Sequence, residues 1–166
     1  MNADDKKAVL RLFTYGLYVV TCRHDEQRNA FTANWLTQIS FEPPLLVVSI
    51  ENSADSLGLI RASGMFAVCV LRSGQRELAG LLGRSRRRAP DKLAGIEWLP
   101  TCASPEREPV SAPPILADSL GYLRCAVDYD TAAGDSTLVV ARIVDACLLR
   151  GGEPLTMRET GFRHSG

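Results

Sequence analysis

Hydroxyl and amide side chains crowd into one short run, Asn29-Ala30-Phe31-Thr32-Ala33-Asn34-Trp35-Leu36-Thr37-Gln38-Ile39-Ser40, which leads almost at once into the apolar stretch 45–50. Thr32, Asn34, Thr37, Gln38 and Ser40 could hydrogen-bond a flat polar ligand and its phosphate, and Trp35 offers a surface for it to lie on. A phosphate can be held by hydroxyls and main-chain N–H groups without an adjacent Lys, and small side chains let the backbone come close. The same run also reads as an edge strand and turn rich in Ser and Thr. Arg84, Arg86, Arg87 and Arg88 form a second cluster. Guanidinium groups bind phosphate bidentately; the alternative is a solvated basic loop, offset by Asp91, Glu97, Glu106 and Glu108.

Other chemistries find less support. The only histidines, His24 and His164, are far apart, so a His-based metal site would need distant partners. Neither G-x-S-x-G nor a Cys with an evident His partner appears, which leaves hydrolase chemistry without a motif. Cys22, Cys69, Cys102, Cys125 and Cys147 include no C-x-x-C pair. That excludes the usual local zinc and redox spacings, and the odd count suggests reduced, structural thiols.

Elements that could position the first run follow from periodicity and turn residues. A helix is expected over residues 4–13, with Val9, Leu12 and Phe13 on one face, lying against the fold as a lid. Strands are expected over 17–22, 29–33, 45–50 and 65–71, then two long ones over 120–130 and 137–149 flanking the turn Ala132-Ala133-Gly134-Asp135. Helical pieces are expected over 53–62, capped by Ser53, and over 73–82, opened by Ser73. Residues 83–113, rich in Pro and Arg, form a long excursion, and Trp98 is expected to anchor the core. Many strands with few, short helices give a mainly β fold, an antiparallel barrel rather than a doubly wound sheet. No G-x-G-x-x-G opens a dinucleotide fold.

The 166 residues are expected to form one domain, since domains most often run to about 100–150 residues. Lys plus Arg and Asp plus Glu both number 19, so no overall field favours nucleic acid or an anionic membrane. No apolar run approaches the roughly 20 residues needed to span a bilayer, and the charged N-terminus lacks a signal peptide's apolar core. A soluble, cytoplasmic protein is expected.

Five segments in order resemble one family. Thr14-Tyr15-Gly16-Leu17-Tyr18-Val19-Val20-Thr21, the 29–50 run, Ser63-Gly64-Met65-Phe66-Ala67-Val68, Asp91-Lys92-Leu93-Ala94-Gly95-Ile96-Glu97-Trp98 and Gly134-Asp135-Ser136 are similar to the signatures of the flavin reductase-like, FMN-binding split-barrel family. The resemblance implies an antiparallel split β-barrel with a few short peripheral helices. It also implies a homodimer with FMN, or FAD, near the subunit interface and NAD(P)H as hydride donor. Electrons would pass on to a flavin-dependent monooxygenase or another acceptor. Carried over by position, Thr32, Ala33, Asn34, Trp35, Leu36, Thr37, Gln38 and Ser40 would cradle the flavin, with Asn52, Ser53 and Ser56 a second contact region. Ser53 and Ser56 also suit a helix N-terminus, which attracts phosphate. Phe41, Leu45 and Leu46, beside Pro43-Pro44, would close the site from a neighbouring subunit.

The chain departs from the family pattern at two positions. Ser136 stands where the family usually has a His after Gly-Asp, and Cys69 where an Asn is frequent. A Ser hydrogen-bonds but has no charge switch near neutral pH. The C-terminal His164 could supply the missing imidazole, with Arg163 offering charge to a pyrophosphate. Three readings therefore stand: an NAD(P)H:flavin reductase; an FMN-bound electron-transfer protein or specialised flavin oxidase with little NAD(P)H activity; and a non-catalytic flavin-binding protein.

Overall fold

Alternating apolar positions build the central sheet. The computed structural model describes residues 1–99 and 112–162. In chain order it contains α1 (Ala3–Leu10), β1 (Tyr18–His24), β2 (Gln27–Ala33), β3 (Leu36–Ser40), β4 (Leu45–Glu51), α2 (Asp55–Ser63), β5 (Met65–Val70), α3 (Arg76–Leu82), β6 (Trp98–Leu99), β7 (Ile115–Leu116), β8 (Gly121–Ala133), β9 (Ser136–Leu148) and α4 (Met157–Thr160). Seven strands pair antiparallel in the order β2-β1-β5-β8-β9-β4-β3, and β6 pairs with β7. The two edges of the large sheet, β2 and β3, are consecutive in the chain and joined by Asn34 and Trp35 alone. Two residues reach only about 7 Å, so the sheet curls to bring its edges together at that point, although no ladder joins β2 to β3.

Each side of the curled sheet carries its own core. Successive side chains on a strand face opposite ways, so on β1 and β5 Val20, Cys22, Phe66 and Val68 enter one cluster while Val19, Ala67 and Cys69 enter the other. The first is completed by Leu46, Val48 and Ile50 of β4, Val139 and Ala141 of β9, and Leu57 and Ile60 of α2. The second is roofed by Ala79 and Leu82 of α3, Ile115 and Leu116 of β7, and Leu155. Leu155 lies between two segments: its N–H donates to Leu71 O (2.8 Å), and the Leu17 N–H donates to its carbonyl (2.9 Å). Thus the C-terminal stretch is stitched beside β1, and α4 is delivered to the same end of the sheet as α2 and α3.

Several elements differ from expectation. Helix α1 ends at Leu10 and buries no residue, and Val9, Leu12 and Phe13 are exposed, so it does not lie on the fold as a lid. Its one turn of apolar residues is too short to cover a neighbour once the chain leaves the helix before Leu12. Helix α2 starts two residues later than the expected 53, with Ala54 at its N-cap and no side-chain cap from Ser53; α3 begins at Arg76, with Gln75 at the N-cap position rather than Ser73. Strand β3, where polar residues hide the period, was expected only as polar edge and turn. Leu46 lies in the core at 1 % exposure, so it is not a surface apolar residue beside Phe41. The long hairpin turns where expected, with β8 ending at Ala133 and β9 starting at Ser136 around Gly134 (φ +67°). Trp98 is half-buried against the second core. Cys22, Cys69 and Cys125 are buried and free, whereas Cys147 is exposed; Cys102 lies outside the described residues.

Candidate functional site

A cleft of about 570 Å³ opens where β2, the Asn34–Trp35 link, the end of β4, α2 and α3 converge. The strand-to-strand link contributes most pointedly. Asn34 lines the cleft, and its Nδ2 is buried with no hydrogen-bond partner among the described residues. A buried donor left unpaired costs about 1–3 kcal/mol. Trp35, 39 % exposed, forms part of the same wall. Thr32 also lines it, and its hydroxyl donates to Ala79 O at 2.6 Å, tying β2 to α3. On α3 and its C-cap the cleft meets Gly80 and Gly83, which carry no side chain; a Cβ at Gly80 would stand 3.4 Å from the Phe162 ring.

The second predicted region divides. Ser53 and Ser56 line the cleft at the start of α2, together with Asp55. Ser56 is 2 % exposed, and its Oγ accepts from Asn29 Nδ2 at 2.9 Å, so it braces α2 against β2 at the cleft floor. Asn52 does not line the cleft. Its Oδ1 accepts from the Thr137 hydroxyl (2.7 Å) and its Nδ2 donates to Gly134 O (3.2 Å), which fastens β4 to the long hairpin. That fastening places Ser136, paired with Glu51 across the ladder, on the cleft wall, where its hydroxyl donates to Asp135 Oδ1 at 3.1 Å.

The rest of the 32–40 run turns away because β3 alternates. Ala33 and Leu36 pack into the first core, and Thr37, opposite Val47, takes the other face. Gln38 donates to Ser40 O at 3.1 Å, closing its own turn. Thr37, Gln38 and Ser40 are not among the cleft-lining residues. His164 and Arg163 lie outside the described residues. Cys69 is fully buried on the second core, where its sulfur accepts from the Leu116 N–H (3.4 Å) and burial pushes the thiol up to about 11. It packs as an apolar group.

A positive end emerges that the sequence signalled only through its Arg cluster. Arg84 and Arg86 line the cleft, and Lys92 joins them. Lys92 is 4 % exposed; its Nζ donates to Leu82 O (3.3 Å) and Arg84 O (2.8 Å). Burial, then repulsion from Arg86, holds its pKa below the ordinary lysine value, while Asp55 and Cys22 pull it back. Among the described residues, no ion pair satisfies Arg84, Arg86 or Lys92. Arg84 and Arg86, with no ion pair among the described residues, favour an anion beside Lys92, whose charge Asp55 partly offsets. Under the floor, burial raises the Cys22 thiol to about 11 despite its contacts with Ser56 and Asn29, so it stays protonated.

At the mouth, Met157 and Phe162 come from the C-terminal segment. Arg76 holds that segment, donating to Thr160 O (2.8 Å) with its guanidinium 5.2 Å from the Phe162 ring centroid. The Glu159 carboxylate accepts from Ser73 Oγ (2.9 Å) and the Gly74 N–H (2.8 Å). Sequence reasoning missed Lys92, Asn29, Met157 and Phe162 as cleft residues. For Lys92 the available signal was a lone cation between an apolar run and the Arg cluster; for Phe162 none was legible.

The cleft is thus lined by amides and hydroxyls, with carboxylates at Glu51 and Asp55 and cations at Arg84, Arg86 and Lys92. Residues 10–166 match the family model of the flavin reductase like domain. A high molecular weight rubredoxin of Moorella thermoacetica is 33 % identical over 154 residues; the match covers 92 % of this chain and only 63 % of that protein. An NADH-dependent flavin reductase of a Rhodococcus species is 32 % identical over 161 residues, covering 95 % of this chain and 83 % of the relative. Among solved structures, BorF, the flavin reductase component of a bacterial two-component tryptophan halogenase, superposes with TM-score 0.79 at 26 % identity, covering 96 % and 95 % of the two chains.

Proposed function

Because the chain belongs to the flavin reductase like domain family, we propose that it is an NAD(P)H:flavin oxidoreductase whose cleft between β2, α2 and α3 holds the flavin. One observation supports the placement: Asn34, whose side-chain Nδ2 is buried and unpartnered among the described residues, lines the same cleft as Arg84, Arg86 and Lys92, none of which forms an ion pair among those residues. A flavin offers what these groups need, ring acceptors for an amide and a phosphate for the cations. The bound flavin would supply the chemistry, taking hydride from the nicotinamide at N5 and yielding electrons to an acceptor. The chain's own work is to bind and orient. Trp35, Gly80 of α3 and Gly83 at its C-cap give the ring room to lie against, Asn34 fixes the ring by its amide, and Arg84, Arg86 and Lys92 hold the phosphate. Ser53 adds a hydroxyl at the start of α2.

FMN is the flavin proposed, and residues 1–166 are read as one such unit. Its curled sheet, with edges joined by two residues, is taken as a split barrel. A homodimer belongs to the same reading. The register places Thr37, Val47, Val140 and Tyr129 side by side, with Val140 buried at 5 % exposure, and Ile39, Phe41, Tyr129 and Val144 are exposed large hydrophobics. Exposed large apolar residues on β3, β8 and β9 and beside β3 support a self-association surface. The acceptor is read as the flavin-dependent oxygenase or halogenase component of a two-component system, by analogy with BorF. A cytoplasmic location is part of the reading, supported by free thiols at Cys22, Cys69 and Cys125; no described helix is long and apolar enough to cross a membrane.

A second reading has its own support. Ser136 gives the cleft wall a hydroxyl where the family usually has an imidazole, and a rubredoxin-named relative points toward electron carriage. In that case the protein retains flavin but oxidises NAD(P)H poorly. Steady-state NADH and NADPH oxidation, with and without added FMN or FAD, separates the two. Flavin-dependent turnover supports the reductase; flavin retention without turnover supports the carrier; neither retention nor turnover overturns the flavin site.

A further inference from the structure

Residues 153–162 run alongside residues 71–80 and deliver one aromatic ring to the cleft. The Ser73 N–H donates to Glu153 O and the Leu155 N–H to Leu71 O, each at 2.8 Å. From Glu159 onward, each contact lies farther along the partner segment: Glu159 on Ser73 and Gly74, Thr160 on Arg76, Phe162 on Gly80. The C-terminal segment is therefore laid down on α3 step by step.

Local sequence fixes where the ring ends up. The Thr156 hydroxyl accepts from the Glu159 N–H (3.2 Å) and opens α4, and Gly161, at φ +68°, closes it in the left-handed region that favours glycine. Thr160, buried at 3 % exposure, receives the Phe162 N–H on its hydroxyl at 3.2 Å. The Phe162 ring then meets α3 where Gly80 lacks a Cβ. Arg76 precedes Gly80 by four residues and so lies on the same helix face, with its guanidinium 5.2 Å from the ring centroid. Arg76 is exposed and does not line the cleft, whereas Phe162 does.

The wall that Phe162 joins is apolar. Leu17, Ala79, Met157 and Phe162 belong to one packed cluster and all line the cleft. Leu17 directly precedes Tyr18, which pairs with Ala33, so this wall stands next to the Asn34–Trp35 link. Farther along α3 the lining changes character, passing Gly83 to reach Arg84 and Arg86. A phosphate held by those arginines leaves the flat, less polar part of its ligand to the Phe162 end.

We propose that Phe162 packs against the flavin ring and that Arg76 is a positioning residue, setting that contact from outside the cleft. The inference rests on the flavin reading of the cleft and deepens it.

The test uses the full-length protein and the variants Phe162→Ala, Phe162→Leu, Arg76→Met, Arg76→Lys and the Phe162→Ala, Arg76→Met double variant. FMN and riboflavin, which lacks the phosphate, are titrated by fluorescence. The visible spectrum of bound FMN is recorded at saturation, and folding is checked by thermal melts. Phe162→Ala weakens both flavins by the same factor, at least about fivefold, the loss of about 1 kcal/mol, and shifts the bound spectrum. Arg76→Met weakens both in the same direction. Arg76→Lys, which keeps a cation for the ring and a donor for Thr160 O, stays within about twofold of wild type. The double variant binds no more weakly than Phe162→Ala alone, because Arg76 acts through Phe162. A loss confined to FMN, or a bound spectrum unchanged from wild type, overturns the assignment to the ring. Additive losses in the double variant overturn the positioning role of Arg76. Unchanged affinities in folded Phe162→Ala, or in Phe162→Leu should the first not fold, overturn the contact while the flavin site stands. A wild type that binds no flavin overturns the underlying reading instead.

Discussion

Replacing Asn34 with Leu should move stability and flavin affinity in opposite directions. The Asn34 Nδ2 is buried and unpartnered among the described residues, on the wall of the main cleft. Burying an unpaired polar group costs about 1–3 kcal/mol, and a side chain of similar shape without polar atoms removes that cost. At this chain length 1 kcal/mol shifts Tm by about 2–4 °C. The flavin-free variant should therefore melt about 2–12 °C above the wild type. With flavin, the variant forfeits one hydrogen bond and leaves a ring acceptor unpaired, together about 1–2 kcal/mol. Kd should rise about tenfold or more, since each 1.4 kcal/mol is a factor of ten. Thermal melts without ligand and fluorescence titration with FMN give the two numbers. A flavin-free Tm lowered by several degrees with unchanged Kd would refute the reasoning, for it would mean that the amide is satisfied within the chain and faces no ligand.

Thr32→Val removes the hydroxyl that donates to Ala79 O; it should cost about 1 kcal/mol, seen as a Tm lowered by about 2–4 °C, and weaken flavin by loosening α3. Lys92 has a folded pKa below the ordinary lysine value, so the unfolded chain binds more protons in that window and stability rises as pH climbs through the lowered folded pKa toward the ordinary one. Over the same window flavin affinity should fall as the phosphate loses its cation. Lys92→Met should flatten both profiles in pH-resolved melts and titrations. Ser136→His should raise kcat/KM for NADH by about 100-fold if an imidazole at that position assists transfer, without a comparable change in flavin Kd; equal rates would show that the hydroxyl suffices.

Legibility in the sequence followed the length of each signal. The β8–β9 hairpin and strands β4 and β5 carry sustained apolar patterns and appear where the pattern puts them. Helix α1 shows a helical pattern and yet finds nothing to cover, because amphipathicity speaks of a face and not of a partner. Within the 29–40 run, residue type identified chemistry but only the pleat could sort it: Thr32, Asn34 and Trp35 reach the cleft, while alternation sends Leu36 to the core and Thr37 to the outer face. Asn52 looks like a ligand donor in sequence but bonds Thr137 and Gly134 and does not line the cleft, whereas Ser56 lines it while accepting from Asn29. Lys92 and Phe162 were hidden for the opposite reason. Each reaches the cleft only through long-range packing, Lys92 by anchoring on the carbonyls after α3 and Phe162 by the stitching of the C-terminal segment beside β1.

The most direct measurement is anaerobic mixing of NADH and FMN with the wild-type protein and with the Asn34→Leu, Lys92→Met double variant, following loss of the flavin's visible absorbance. The account predicts that wild type bleaches the flavin far faster than NADH alone, at a rate saturating with FMN, and that the double variant needs at least about a hundredfold more FMN to reach half that rate, two losses of about 1.4 kcal/mol each. Bleaching equally fast at the same FMN concentration in the double variant would place the flavin elsewhere, and a wild-type rate no faster than the protein-free reaction would contradict the reductase itself.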